Sequence, residues 1–240
     1  NKKVCFMSTY NCSAELNEIG YKKGIRKILI YEIVERNILD IFAYKQRYYN
    51  KKINSSDEIR GEIFPFDAEQ RYYFLLQKSI FTRPIYIALA NFKFNYLNCI
   101  SSATPVYSKD PPWLFYYLEV NNGKTSFYYK YSYDEITNVT NNIDDLRKKL
   151  DEQFNLELLF VPIPNKYTIY HSILNNDTYN NLLSNIYYEL NQRNIKCVEL
   201  LYDYLNSDKI LYYQTDTHYN IEGENIVLKK LINVINNLEK

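Results

Sequence analysis

The sequence predicts an α/β protein: a mainly parallel sheet flanked by helices, with a mixed α+β insertion that contains a hairpin. Short apolar runs alternate with amphipathic helical patterns along both ends of the chain. The helical stretches between those runs are long enough to cross back over a sheet, which favours parallel strands and right-handed βαβ units. No stretch approaches 18 consecutive apolar residues, so the apolar runs are core strands and not membrane spans.

Taken in order, Lys3-Val-Cys-Phe-Met7 and Lys27-Ile-Leu-Ile-Tyr-Glu32 read as strands around a helix from Ser13 to Gly24. Residues 43–133 read as a large insertion forming part of a substrate cleft. Within it, Asp67-Ala-Glu-Gln70 has the N-cap and third-position pattern of a helix start. Lys109-Asp-Pro-Pro112 marks a boundary, and Trp113 to Tyr129 reads as a hairpin turning at Asn122-Gly123. Ile136, Val139, Ile143, Leu146, Leu150 and Phe154 recur every three or four residues, an amphipathic helix. Leu156 to Pro162 and Lys196 to Leu200 read as strands around a helix from Thr178 to Arg193. A last helix starts after Asn220, with Val227, Leu231, Val234 and Leu238 on one face.

Charge and composition exclude several classes of function. With 29 basic and 28 acidic residues dispersed along the chain, there is no basic face for nucleic acid. The four cysteines, Cys5, Cys12, Cys99 and Cys197, lack metal-type spacing, and Cys5 and Cys197 read as buried thiols. The 27 tyrosines could stack on sugars, but they are spread over every segment and locate no site. The chain begins at Asn1 and its only methionine is Met7, so the expectation is a processed or trimmed start with a leader or anchor upstream.

In open α/β sheets, active sites collect where strands end and loops lead into helices. Three polar clusters occupy such places: Glu32-Ile-Val-Glu-Arg-Asn37, Pro162-Ile-Pro-Asn-Lys-Tyr167, and Thr215-Asp-Thr-His-Tyr-Asn220. His218 suits a general base that takes a proton from a serine hydroxyl, because imidazole titrates near neutrality. Asp216 would orient the ring and stabilise the imidazolium. Arg36 or the Asn37 amide could stabilise an oxyanion. Standing alone, Asp-x-His reads equally as a capping and hydrogen-bonding loop, and Arg36 as a salt-bridge partner. His171, in a helix-like stretch, reads as structural. No further Cys, His or carboxylate cluster stands at metal-ligand spacing from Asp216 and His218, so neither a metal nor a cofactor is expected.

Two of these stretches, Val161-Pro-Ile-Pro-Asn-Lys-Tyr-Thr-Ile-Tyr170 and Tyr212-Tyr-Gln-Thr-Asp-Thr-His-Tyr-Asn-Ile-Glu-Gly223, together resemble the SGNH-hydrolase-like domain of the alginate O-acetyltransferases (AlgX/AlgJ type) and related DHHW proteins. Ile28-Leu-Ile-Tyr-Glu-Ile-Val-Glu-Arg36 is similar to that family's Glu-Arg strand, and Trp113-Leu-Phe-Tyr116 to its Trp-Leu-Phe opening. The resemblance implies an SGNH-like fold and acyl-ester chemistry on a cell-envelope or secreted polysaccharide, outside the cytoplasm. It makes Asp216 and His218 two members of a Ser-His-Asp triad. Arg36, Asn37, Asn165, Lys166, Tyr167 and Tyr219 are the expected substrate-binding residues, and a membrane-bound acyltransferase is the expected donor partner.

The sequence departs from the family in three ways. Tyr219 stands where the family has Trp, no Gly-Asp-Ser or Gly-Thr-Ser turn occurs, and the Glu-Arg strand precedes Asp-x-His instead of following it. On this ordering 1–240 is a single SGNH-like domain lacking its first strand and nucleophile block, and the serine lies upstream of Asn1. The alternative nucleophile is Ser8, after the first apolar run and before a helix, though no glycine adjoins it to permit a tight turn. Two functions are therefore expected: an O-acetyltransferase or esterase, or a catalytically inactive carbohydrate-binding or scaffold protein on the same fold.

Overall fold

The computed structural model describes residues 27–44, 106–109, 112–121, 123–175 and 177–238, with helical positions at 84–85, 88–89 and 92. The chain divides into two compact units, 1–45 with 106–240, and 46–105. Residues 27–44 and the described residues from 106 onwards belong to the first. The expected strand Lys3–Met7, the helices from Ser13 and Asp67, and Ser8 lie outside the described residues.

Strand β1 (Ile28–Val34) leads directly into a short helix, α1 (Glu35–Ile38), which widens into a π-helical turn over Leu39–Tyr44. Strands β2 (Val106–Lys109) and β3 (Pro112–Phe115) pair antiparallel, and α2 (Tyr117–Val120) is a single turn. Then come α3 (Tyr133–Phe154), β4 (Glu157–Ile163), α4 (Lys166–Tyr170), α5 (Leu182–Gln192), α6 (Leu201–Leu205) and α7 (Ile221–Leu238).

β1 and β4 run parallel in a register that pairs Ile28 with Glu157 and Val34 with Ile163. Both strands thus end at the same level, and the loops carrying Glu35 and Asn165 leave side by side. A parallel bridge between Phe160 and Cys197 adds the next stretch of chain on the other side of β4. The expected strand Lys196–Leu200 is reduced to that one bridge. β4 is the centre of the sheet and alternates strictly between two cores. Leu158 and Phe160 enter a cluster with Ile136, Val139 and Ile143 of α3 and Leu183, Ile186 and Leu190 of α5. Leu159, Val161 and Ile163 face the opposite cluster, with Trp113, Phe115, Tyr167, Tyr204, Tyr212 and Val227. Apolar residues on both faces are what a covered parallel strand requires. β1 is more deeply covered on one face: Ile33 is buried, while on the other Ile28 is partly covered and Ile30 and Glu32 are exposed.

The amphipathic helix forms as its spacing predicts, and its ends explain its length. Ser132 accepts from the Glu135 N–H while the Glu135 carboxylate accepts from the Ser132 N–H, a reciprocal capping box. Asn155 closes the other end in the left-handed conformation.

The expected hairpin at Asn122-Gly123 is not formed. β3 pairs backwards with β2, and the chain after it turns helical at α2. The Asn121 side chain accepts the Gly123 N–H at 2.8 Å, making a local side-chain turn in place of a strand-to-strand one. The Glu119 side chain, fully buried, is held by an ion pair that fixes α2.

α7 begins on an Asn cap: the Asn220 side-chain oxygen accepts the N–H groups of Glu222 (2.9 Å) and Gly223 (3.2 Å). A Cβ at Gly223 would lie 2.6 Å from the Leu211 carbonyl and 2.8 Å from the Tyr219 Cβ. No helix among the described residues is long and apolar enough to cross a membrane. Gly223→Ala is expected to lower stability, since overpacking costs about 1–3 kcal/mol and helix propensity returns only about 1 kcal/mol. A urea midpoint unchanged from wild type would show that Leu211 and Tyr219 yield without cost.

Candidate active site

The level C-terminal ends of β1 and β4 bring the Glu-Arg and Asn-Lys-Tyr stretches into one buried polar cluster. Glu35, at the first position of α1, is almost fully buried. One carboxylate oxygen accepts the Asn165 N–H (2.8 Å) and the Thr168 hydroxyl (2.7 Å), and the other accepts the Tyr179 hydroxyl (2.7 Å). Burial pushes this carboxyl up, and those three donors oppose the shift. The Asn165 side chain accepts the Arg36 N–H at 3.2 Å, so the two loops exchange hydrogen bonds.

Arg36 spans from this cluster to α2. Its Nη1 lies 2.7 Å from Glu119 Oε1, and its guanidinium sits 5.1 Å from the Tyr116 ring centre. The second Glu119 oxygen accepts the Tyr167 N–H at 3.1 Å. Burial raises the Glu119 carboxyl to about 7, against the pull of Arg36 and that N–H, with Glu35 pushing further up.

Lys166 has no exposed surface, and its Nζ donates to the carbonyl oxygens of Leu114 (2.7 Å), Tyr213 (2.6 Å), Gln214 (2.8 Å) and Asp216 (2.9 Å). Three of those carbonyls belong to the loop that carries the acid–base pair. On that loop His218 Nδ1 lies 2.5 Å from Asp216 Oδ1, which also accepts the His218 backbone N–H at 3.0 Å. Partial burial alone would raise the Asp216 carboxyl; the bonds from His218 outweigh it and hold it below the ordinary range. The His218 side chain is 80% exposed and Asp216 52%, so the far ring nitrogen is open to a reactant. Two residues after Gln214, then, a carboxylate orients an imidazole in the way an acyl-transfer base needs.

Residues 106–240 match the family described as the SGNH hydrolase-like domain, acetyltransferase AlgX. That stretch is more than half of the chain. The protein belongs to the AlgX family. No curated protein and no solved structure matches it.

The AlgX-type stretch contains Lys166, Asp216 and His218, while Glu35 and Arg36 come from outside it and still close the same cluster. Of the expected substrate contacts, Asn165, Lys166 and Tyr167 are buried, so the structure gives them an internal supporting place in this conformation. Tyr167 bonds the Tyr128 hydroxyl at 2.6 Å, away from solvent, and burial pushes its phenol up. Arg36 is largely covered, with 18% of its side chain exposed. Asn37 is exposed beside it, and Tyr219 donates to Glu32 at 3.3 Å near the end of β1. His171 is structural, as its surroundings suggest: its ring packs 4.9 Å from Phe127 and its Nδ1 meets the Thr168 carbonyl.

Glu119 falls in the stretch whose pattern predicts a hairpin, where nothing marks it as a site residue. The available signal is a lone carboxylate in a stretch rich in aromatic residues. Glu35 likewise carries no role in the sequence pattern, although a carboxylate needs donors once it is buried.

Arg36→Ala is expected to leave Glu119 buried and unpaired, which costs about 3–5 kcal/mol in comparable buried pairs. Glu119 binds its proton more tightly folded (about 7) than at its ordinary 4.5, so the folded state holds the extra proton between those values. Its contribution to stability therefore falls as pH rises through that window and is lowest above 7. The variant's penalty should be larger at pH 8 than at pH 5 in urea unfolding; an equal penalty at both would remove Glu119 from the account.

Proposed function

We propose that this AlgX-family protein is an acyl-ester enzyme, an O-acetyltransferase or esterase acting on a cell-envelope or secreted polysaccharide. The 2.5 Å contact between Asp216 and the His218 Nδ1, with the other ring nitrogen open, carries this reading. Asp216 keeps the proton on Nδ1 and leaves Nε2 as the base. His218 Nε2 takes the proton of a serine hydroxyl as the serine oxygen attacks the acyl carbonyl. The imidazolium then protonates the leaving alcohol, and an acyl-serine ester remains. A sugar hydroxyl, or water, next gives its proton to His218 and attacks that ester; the imidazolium returns the proton to the departing serine oxygen, leaving the acylated sugar, or the free acid, and the original serine and imidazole.

The serine comes from outside the described residues, Ser8 being one candidate. On this reading the exposed Asn37 amide in α1 is the donor to a developing oxyanion, with Arg36 adding positive charge from behind its pair with Glu119. The donor is a membrane-bound acyltransferase partner, and the setting is extracytoplasmic, in keeping with the family. Exposed Tyr213 and half-exposed Tyr219 flank the pair and offer rings for sugar stacking.

A second reading is an inactive carbohydrate-binding or scaffold protein that kept the fold; it differs from the first in having no serine that serves His218.

Acetate release from 4-nitrophenyl acetate separates the two readings. His218→Ala and Asp216→Asn should each cut turnover roughly a thousandfold or more. Ser8→Ala should do the same if Ser8 is the nucleophile. Turnover unaffected by His218→Ala would take the imidazole out of the mechanism. A wild type inert towards activated ester, donor and glycan, yet binding glycan, would establish the second reading.

A further inference from the structure

We infer that the carbonyl oxygens of Leu114, Tyr213, Gln214 and Asp216 form a cage for a monovalent cation, that the Lys166 ammonium is its built-in occupant, and that this occupancy positions the Asp216–His218 pair. The activity readout below rests on the proposed function; the cage itself does not.

The geometry is that of an ion site. Four carbonyl oxygens converge on one nitrogen at 2.6–2.9 Å, although an ammonium has three protons to give. The Trp113 ring centre at 4.9 Å and the Phe115 ring centre at 5.4 Å complete the enclosure with π faces that favour a cation. Among the described residues no carboxylate oxygen bonds Nζ, so backbone dipoles and rings replace the usual counter-ion. Four carbonyls turned towards one point repel one another, and a positive charge at their centre offsets that repulsion.

The cage is also what holds the loop. The side chains of Tyr213, Gln214, Thr215, Asp216 and His218 are exposed, so no apolar packing of theirs secures it. Beyond the cage and the Asp216 side-chain bonds to His218, backbone bonds tie it: Leu114 N–H to Gln214 (2.8 Å), Tyr213 N–H to His218 (3.1 Å) and Asp216 N–H to Tyr213 (3.5 Å). Lys166 is buried and anchored at the head of α4, and it transmits the position of the sheet edge to the loop. It is a positioning residue: it bonds the backbone of Asp216 and does not touch a reactant.

Burial lowers the Lys166 ammonium to about 8, while Glu119 on α2 and Asp216 on the loop oppose the shift. The unfolded chain keeps its proton up to 10.5, so between these values the unfolded state binds more protons and this group's contribution favours folding as pH rises. Alkali therefore empties the charge from the cage without help from global unfolding.

The chain has two histidines, so the His218 ring signals can be followed by NMR, with His218→Ala as the assignment control. Lys166→Ala removes the atoms of propylamine. Its His218 signals should move to those of a free, exchanging imidazole, and ester turnover should fall about a hundredfold, as a small misplacement does. Added propylammonium should restore both, and 1-propanol neither. Lys166→Met, which keeps the stem but not the charge, should behave as Lys166→Ala does, with circular dichroism confirming the fold. Wild-type His218 signals in both variants would overturn the cage. So would loosened signals that propylammonium fails to return. If neither variant folds, the wild type decides: as alkali removes the Lys166 ammonium proton, followed by its own ε-methylene signals, the 213–216 amide and His218 signals should shift with it, and loop signals that stay unchanged through that deprotonation overturn the inference. Rescue of the His218 signals in a protein with no ester turnover would leave the cage standing and remove the enzyme reading.

Discussion

A charge taken out of water has to be answered by a partner, and that requirement organises the C-terminal edge of the sheet. Glu35, Glu119, Arg36 and Lys166 are all covered or nearly so, and each is answered differently. Glu35 takes three neutral donors, Glu119 takes a guanidinium and an N–H, and Lys166 takes four carbonyls. The donors and acceptors come from α1, β3, α2, α4, α5's approach and the 213–216 loop. Satisfying these four charges thus ties together every element that borders the candidate site. Apolar packing builds the two cores on either side of β4, but it is polar matching that sets the edge.

That division gives the acid–base pair an unusual support. Asp216 and His218 are exposed and carry little packing of their own, while the scaffold one residue layer beneath them is fully buried. Both side chains are open to a large molecule arriving from solvent. Their positions are still fixed from below, through the backbone.

Periodic apolar patterns made β1, α3, β4 and α7 legible in the sequence, because each is decided by spacing and local caps. The Asp216–His218 contact was legible for the same reason: an i, i+2 pair in a turn needs no distant information. The hairpin was misread because Asn122-Gly123 is a strong local signal, and a long-range one prevailed. Burying Glu119 against Arg36, 83 residues away, cannot be seen in a window of a dozen residues. The inward placement of Lys166 was hidden likewise. A lysine after a strand reads as a surface cation, and its four acceptors are backbone atoms that no side-chain pattern reveals.

The parallel register between β1 and β4 joins residues that are 129 positions apart, with the 46–105 unit lying in the intervening sequence. Closing so long a loop is slow on the scale of helix formation, since chain entropy must be lost before strand pairing returns anything. The α3–β4–α5 hub is local and can form first, with an open flank beside β4. Glu35 and Arg36 arrive with β1, so their buried charges are matched in the same step that pairs β1 with β4. A chain in which β1 has not docked leaves Glu119 without its guanidinium and that edge of β4 unpaired at once, and an unpaired strand edge is a template for aggregation.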